Sequence, residues 1–215
     1  MTADEIKLIA FDMEGCLTAD PTVWEIMHRK LGTWESHGQP YWKRYQAGEF
    51  SYDAFARMDA AVWQGAPVSL LREAAAEVPL MPGCEEALSE LRARHVSVAI
   101  ITNGLLCVAR RFAKERGVER IYANEIRVKD DALTGDIEIK VPYHAKGNLL
   151  RTLANEFGLE RDQIASVGDS VSDIAMFRES RISIAFNPYD TAVIAAATHH
   201  IPNHDLRPIL DILRG

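Results

Sequence analysis

Four short apolar runs punctuate the chain: IKLIAF at 6–11, VSVAII at 96–101, IASVG at 164–168 and ISIAF at 182–186. Each is five or six residues long and rich in Ile, Val and Ala. Each lacks the strict alternation of a half-exposed strand, so each is expected to be buried on both faces. Helical patterns lie between them. Residues 82–95 open with Pro82-Gly83 and place Ala87, Leu88 and Leu91 at helical spacing. Residues 105–117 and 145–158 end on Gly117 and Gly158, which are natural C-caps. Strand alternating with helix predicts an α/β fold, a doubly wound parallel sheet with helices on both faces.

Two stretches break this alternation. Residues 18–80 hold no strand pattern but carry helix-like segments rich in aromatics, including Trp24, Trp34, Trp42, Phe55 and Trp63. That is too long for a structureless loop in a compact domain. The reading is a helical cap domain, 18–80, inserted into a core domain formed by 1–17 and 81–215. Residues 125–141 alternate on either side of a turn-rich centre, which predicts a β-hairpin.

Composition narrows the class. A chain of 215 residues with 47% hydrophobic content supports one domain with a sizeable insertion. A net charge of −7 without a basic tail argues against a nucleic-acid partner. The N-terminal stretch is acidic and has no long apolar run, so neither a signal peptide nor a membrane span is expected. The three cysteines, Cys16, Cys84 and Cys107, are far apart. They read as core residues of a protein in a reducing compartment, and a cytoplasmic setting is expected. His199, His200 and His204 lack a neighbouring acid pattern and are read as surface residues. Most of the tryptophans are expected to pack the cap.

The candidate chemistry lies where the buried strands end. Ligands of an open α/β sheet bind outside the carboxyl ends of its strands. The first run leads into Asp12 and Glu14, the second into Thr102 and Asn103, and the third into Asp169, with Asp173 four residues on. Lys146 opens the helix before the third run. Each has an ordinary reading alone: a turn acid, an N-cap pair, a solvated lysine. Together they gather acids, a hydroxyl and an ammonium at one sheet edge. Crowded carboxylates call for a cation, and an all-oxygen ligand set selects Mg²⁺. A lysine and a hydroxyl beside it suit a phosphate dianion. The set points to phosphoryl transfer with a carboxylate nucleophile.

The order and spacing of these motifs resemble the haloacid dehalogenase (HAD) superfamily, in the branch of phosphoserine phosphatase. The matching stretches are DMEGCLT, ITNG, KGNLL and GDSVSDIAMF, with IAFNP after the next strand. The resemblance implies a Rossmann-like core, a helical cap and a Mg²⁺-dependent phosphomonoesterase acting on a small phosphorylated metabolite. It implies that Asp12 attacks phosphorus and forms an aspartyl-phosphate. Glu14 then serves as acid and base, and its carbonyl helps bind the metal. Thr102, the amides from Asn103 onward and Lys146 hold the phosphate. Asp12, Glu14, Asp169 and Asp173 make the metal site, with Asp173 supporting the metal shell or Lys146.

Three positions depart from the pattern. Glu14 stands where the family usually has Asp, as in relatives resembling phosphoserine:homoserine phosphotransferase. Pro21 and Asp59 fall where phosphoserine phosphatases hold an acid and an arginine for their substrate. Glu25, Arg57 or Arg44 would have to substitute, so phosphoserine is expected to be a poor substrate. Alternatives to the hydrolase are a phosphotransferase with an alcohol acceptor, a phosphoacceptor signalling domain and a non-catalytic phosphate-binding protein. A receiver-type signalling domain is shorter, has no cap and places its lysine last, whereas Lys146 precedes GDSVSD.

Overall fold

The computed structural model describes residues 5–113 and 116–214. The first apolar run forms β1 (Leu8–Phe11), the second β2 (Ser97–Leu105), the third β5 (Ile164–Gly168) and the fourth β6 (Ile182–Phe186). With β3 (Val118–Lys129), β4 (Ala132–Glu138) and β7 (His199–Ile201), they build one seven-stranded sheet in the order β4-β3-β2-β1-β5-β6-β7. All neighbours are parallel except β3 and β4. β1 lies at the centre, with Phe11 in register with Ile100 of β2 and Val167 of β5.

Burial on both faces explains the unbroken apolar runs. Ile9 and Phe11 belong to a core with Leu88 and Leu91 of α5 (Cys84–Ala93). Leu8 and Ala10 point the other way, into a core with Leu150 and Leu153 of α7 (Lys146–Phe157). Gly158 closes α7 in the left-handed region, as its position predicts.

Helices α1 (Val23–Lys30), α2 (Gln39–Gln46), α3 (Tyr52–Val62) and α4 (Val68–Glu77) occupy the stretch between β1 and α5. The chain leaves and re-enters the sheet region side by side: Ala19 N donates to Pro79 O and Met81 N to Leu17 O. Further along, the 65–68 connection hydrogen-bonds to the hairpin of β3 and β4. Gly65 N donates to Leu133 O, Val68 N to Asp131 O and Leu133 N to Ala66 O.

Some elements differ from the sequence expectation. The hairpin forms around Asp130 and Asp131, both at positive φ, which suits a two-residue turn. Its first strand begins earlier than the alternation predicts, because 118–124 pairs with β2 as the outer part of the main sheet. The expected helix at 105–117 is α-helical only as α6 (Leu106–Ala109), followed by a 3-10 turn at Arg110–Phe112. Lys114 and Glu115 lie outside the described residues, as do residues 1–4 and 215. His199 and His200 form β7, a short exposed edge strand that no periodic pattern announces. The remaining short helices are α8 (Ile174–Arg178), α9 (Thr191–Ala196) and α10 (Ile209–Ile212). All three cysteines are free thiols. No helix among the described residues is long and apolar enough to cross a membrane.

Candidate active site

Asp12 follows the last residue of β1, at the carboxyl edge of the central strand. A tight turn comes next, in which Met13 O accepts from Leu17 N and Thr18 N. Gly15 sits in that turn at φ +82°, and a Cβ there would lie 2.3 Å from Asp169 Oδ2. Only glycine permits both the backbone conformation and the approach of the Asp169 carboxylate.

The predicted acids and lysine do meet. Lys146 Nζ lies 3.0 Å from Asp12 Oδ2 and 2.6 Å from Asp173 Oδ1, and all three side chains are buried. Asp12 Oδ1 accepts from Met13 N at 2.7 Å. Asp173 Oδ2 accepts from Asp169 N, Ser170 N and Ser170 Oγ at 2.9–3.1 Å. Asp12, Asp169 and Asp173 offer carboxylate oxygens that all lie within 4.8 Å of one another. Both oxygens of Asp173 are therefore engaged, one by the lysine and one by the loop.

Electrostatics separates the acids. Burial pushes Asp12 up to about 6, against the pull of Lys146. Burial also pushes Glu14 up, to about 8, and the charge of Asp12 adds to this. Asp169 is raised well above the carboxylate range by burial and then by Asp12 and Asp173. Burial penalises the Lys146 ammonium, but Asp12 and Asp173 outweigh it and hold its pKa above the usual lysine value. Four carboxyl groups thus share one ammonium in a desolvated site. Hard oxygen donors under mutual repulsion fit a divalent cation such as Mg²⁺.

Among the described residues, no lysine or arginine pairs directly with Glu14, although Lys146 acts on it from a distance. Glu14 Oε1 is buried and has no hydrogen-bond partner in the protein. The carboxyl lies over Gly104, where a Cβ would be 3.0 Å from Glu14 Cδ. The room for the extra methylene comes from this glycine.

Thr102 and Asn103 are both buried at the end of β2. Thr102 Oγ1 accepts from Gly104 N at 3.0 Å. Asn103 Nδ2 donates to Val141 O at 2.8 Å, so its side chain braces the strand end. Asn103 O accepts from Asn124 Nδ2 and from the Tyr52 hydroxyl of α3. Asn124 Oδ1 accepts in turn from Lys140 N and Val141 N. Sequence reasoning did not single out Tyr52, Asn124, Gly104 or Ser170. Only Ser170 carried a local signal, the Ser-x-x-Asp spacing of a capping box. Tyr52 and Asn124 reach the site from distant elements.

A cavity of about 850 Å³ opens beside Glu14 and Asp169. Pro21, Glu25 and Asp59 line it, as do Trp24, Trp34 and Trp42. Trp24 and Trp63 are buried in the core, and Trp24 also lines the cavity together with Trp34 and the exposed Trp42. Among the described residues, no lysine or arginine lines this cavity. Arg57 donates to Ile137 O and Arg44 pairs with Glu49. His204 lines the cavity and contacts Asn187, whereas His199 and His200 are exposed surface residues, as expected.

The described geometry has close relatives. The phosphoserine phosphatase of Methanocaldococcus jannaschii is 29% identical over 209 residues, spanning 97% of this chain and 98% of that protein. The phosphoserine phosphatase of Streptococcus thermophilus is 27% identical over 97% of both chains. A solved phospho-aspartyl intermediate analogue of phosphoserine phosphatase superposes with a TM-score of 0.86 at 28% identity, covering 97% of this chain and 99% of that one. The family model of haloacid dehalogenase-like hydrolases matches residues 9–178. With its sheet, its acids and its lysine in that order, the chain belongs to the haloacid dehalogenase-like hydrolases as a phosphoserine phosphatase-like phosphatase.

Proposed function

We propose that this enzyme hydrolyses a small phosphomonoester through an aspartyl-phosphate on Asp12. The observation that carries the reading is the difference between Asp12 and Glu14. Asp12 is in contact with Lys146, which favours its ionised form, whereas Glu14 Oε1 has no hydrogen-bond partner among the described residues and burial holds this carboxyl up at about 8, which favours its protonated form. Two carboxyl groups with opposed protonation states supply a nucleophile and a general acid.

In the first step an Asp12 oxygen bonds to phosphorus as the bond to the leaving oxygen breaks, and Glu14 gives that oxygen its proton. In the second step the Glu14 carboxylate takes a proton from water, the hydroxide attacks phosphorus, and Asp12 is released with inorganic phosphate. Lys146 and the Thr102 hydroxyl hold phosphate oxygens, together with backbone amides from Asn103 onward. Asp12, the Glu14 carbonyl and Asp169 would hold Mg²⁺, which when bound neutralises the acids and withdraws charge from a phosphoryl oxygen. Asp173 positions Lys146 and the Asp169 loop, since its oxygens are already engaged. Residues 18–80 act as a cap over a core of 1–17 and 81–215, and the adjacent crossings at Ala19 and Met81 support that division. Three free thiols support a cytoplasmic setting.

The test is p-nitrophenyl phosphate hydrolysis with and without Mg²⁺, by the wild type and by Asp12→Asn and Asp169→Asn. Wild-type turnover that needs Mg²⁺, loss of activity in a folded Asp12→Asn, and a higher Mg²⁺ requirement in Asp169→Asn are expected. Near-normal turnover by Asp12→Asn would remove the nucleophile assignment.

A further inference from the structure

The cavity beside Glu14 is where the leaving alcohol must lie, and its walls have a definite chemical character. One side is aromatic. The ring centroids of Trp24 and Phe55 are 6.0 Å apart and those of Trp42 and Phe55 5.8 Å apart. Trp42 packs against Tyr45 and Phe55 and is still 42% exposed, so part of its ring is accessible from the cavity. Acids stand among these rings. Asp20, Glu25 and Asp59 line the cavity in addition to Glu14 and Asp169. Asp59 is buried, and its Oδ1 lies 3.0 Å from His28 Nε2 without the alignment of a hydrogen bond. An amino-acid carboxylate entering this space would meet acids and aromatic faces and, among the described residues, no lysine or arginine. A cation would meet the negative faces of the rings and the carboxylates behind them.

We propose that the substrate is the phosphomonoester of a cationic amino alcohol, with an alkylammonium or quaternary ammonium group and no carboxylate. Its phosphate goes to Asp12 and Lys146, and its cationic end lies against Trp42, Trp24 and Phe55 with Glu25 and Asp59 nearby. This rests on the phosphatase reading above. Glu25 already pairs with Arg29 at 2.8 Å and Asp59 lies 3.0 Å from His28, so a cation would add to these pairs and to the ring faces, whereas phosphoserine would place a carboxylate against the acids.

Two matched pairs isolate the charge. Phosphoethanolamine is phosphoserine without its carboxylate, and 3,3-dimethylbutyl phosphate is phosphocholine with carbon in place of nitrogen. The expected kcat/KM is higher for phosphocholine than for dimethylbutyl phosphate by about fivefold or more, the scale of a cation–π contact. Phosphoethanolamine should exceed phosphoserine by about tenfold or more, the scale of one unpaired charge interaction. Glu25→Gln and Trp42→Ala should each shrink the first ratio. Choline against 3,3-dimethylbutanol, followed by tryptophan fluorescence, reads the same preference without turnover. Absent hydrolysis of p-nitrophenyl phosphate alongside selective choline binding would remove the chemistry and keep this assignment. Phosphoserine above phosphoethanolamine, or the neutral isosteres equal to the cations in both turnover and binding, would overturn it.

Discussion

The carboxyl of Glu14 rests against the bare Cα of Gly104, with only 3.0 Å between Glu14 Cδ and the position of a Cβ. The two residues come from different strand ends, and the longer acid fits because residue 104 has no side chain. Gly104→Ala should displace Glu14 and lower kcat by about tenfold, since a misplaced catalytic group loses rate steeply. Glu14→Asp should also lower kcat, because the shorter arm falls short of the leaving oxygen. The double variant should lose less than the two effects summed, as Asp withdraws from the new methyl. Strict additivity in kcat would refute the contact.

Lys146 is in contact with both Asp12 and Asp173. Lys146→Met leaves two buried carboxylates facing each other. The expected loss is about 3–5 kcal/mol near pH 7.5, the scale of breaking a buried pair. The loss should shrink at pH 5. Without the lysine, the folded-state pKa of Asp12 rises further above its unfolded value. Stability tied to a raised pKa is present below the unfolded pKa and lost as pH rises through the folded one. Urea unfolding at both pH values measures this, and an equal deficit at each would contradict it.

Glu14 follows the same sign. Its folded-state pKa is near 8, above the ordinary glutamate value, so its contribution to apo-enzyme stability falls as pH rises from about 4.5 through 8. Glu14→Gln removes that titration. The variant should unfold about 3 °C or more above the wild type at pH 8.5, and within about 1 °C of it at pH 4. It should also lose activity, least with p-nitrophenyl phosphate, whose leaving group needs little protonation. A thermal melt with no pH-dependent gain would show that Glu14 is not held protonated.

Closure over the bound phosphoryl group is expected to move α1 and α2. The 65–68 connection is hydrogen-bonded to the hairpin at Asp131 and Leu133, while Tyr52 is bonded across to Asn103. Beryllium fluoride with Mg²⁺, mimicking the phosphoryl group on Asp12, should slow amide exchange in α1, α2 and the N-terminal turn of α3. The 65–68 connection should change little, because it is already paired. Unchanged exchange in α1 and α2 would count against closure.

The sequence by itself indicated four strands of the sheet and the acids, hydroxyl and lysine that gather at its edge. β1, β2, β5 and β6 were legible because strands buried on both faces must be continuous apolar runs, a local signal that survives without neighbours. Asp12, Glu14, Lys146 and Asp169 were legible because each stands at a fixed offset from such a run or opens a patterned helix. The tertiary structure alone decided the rest. The 118–124 strand looks too polar to predict, and only its pairing with β2 makes it a strand. Asn124 and Tyr52 act on Asn103 from remote elements, and no spacing encodes that. Burial raises both Asp12 and Glu14, and the two differ because Lys146 is in contact with Asp12 but acts on Glu14 only from a distance. The aromatic and acidic walls of the cavity depend on how α1, α2 and α3 are rotated against one another, and helical period fixes a face but not the face it meets.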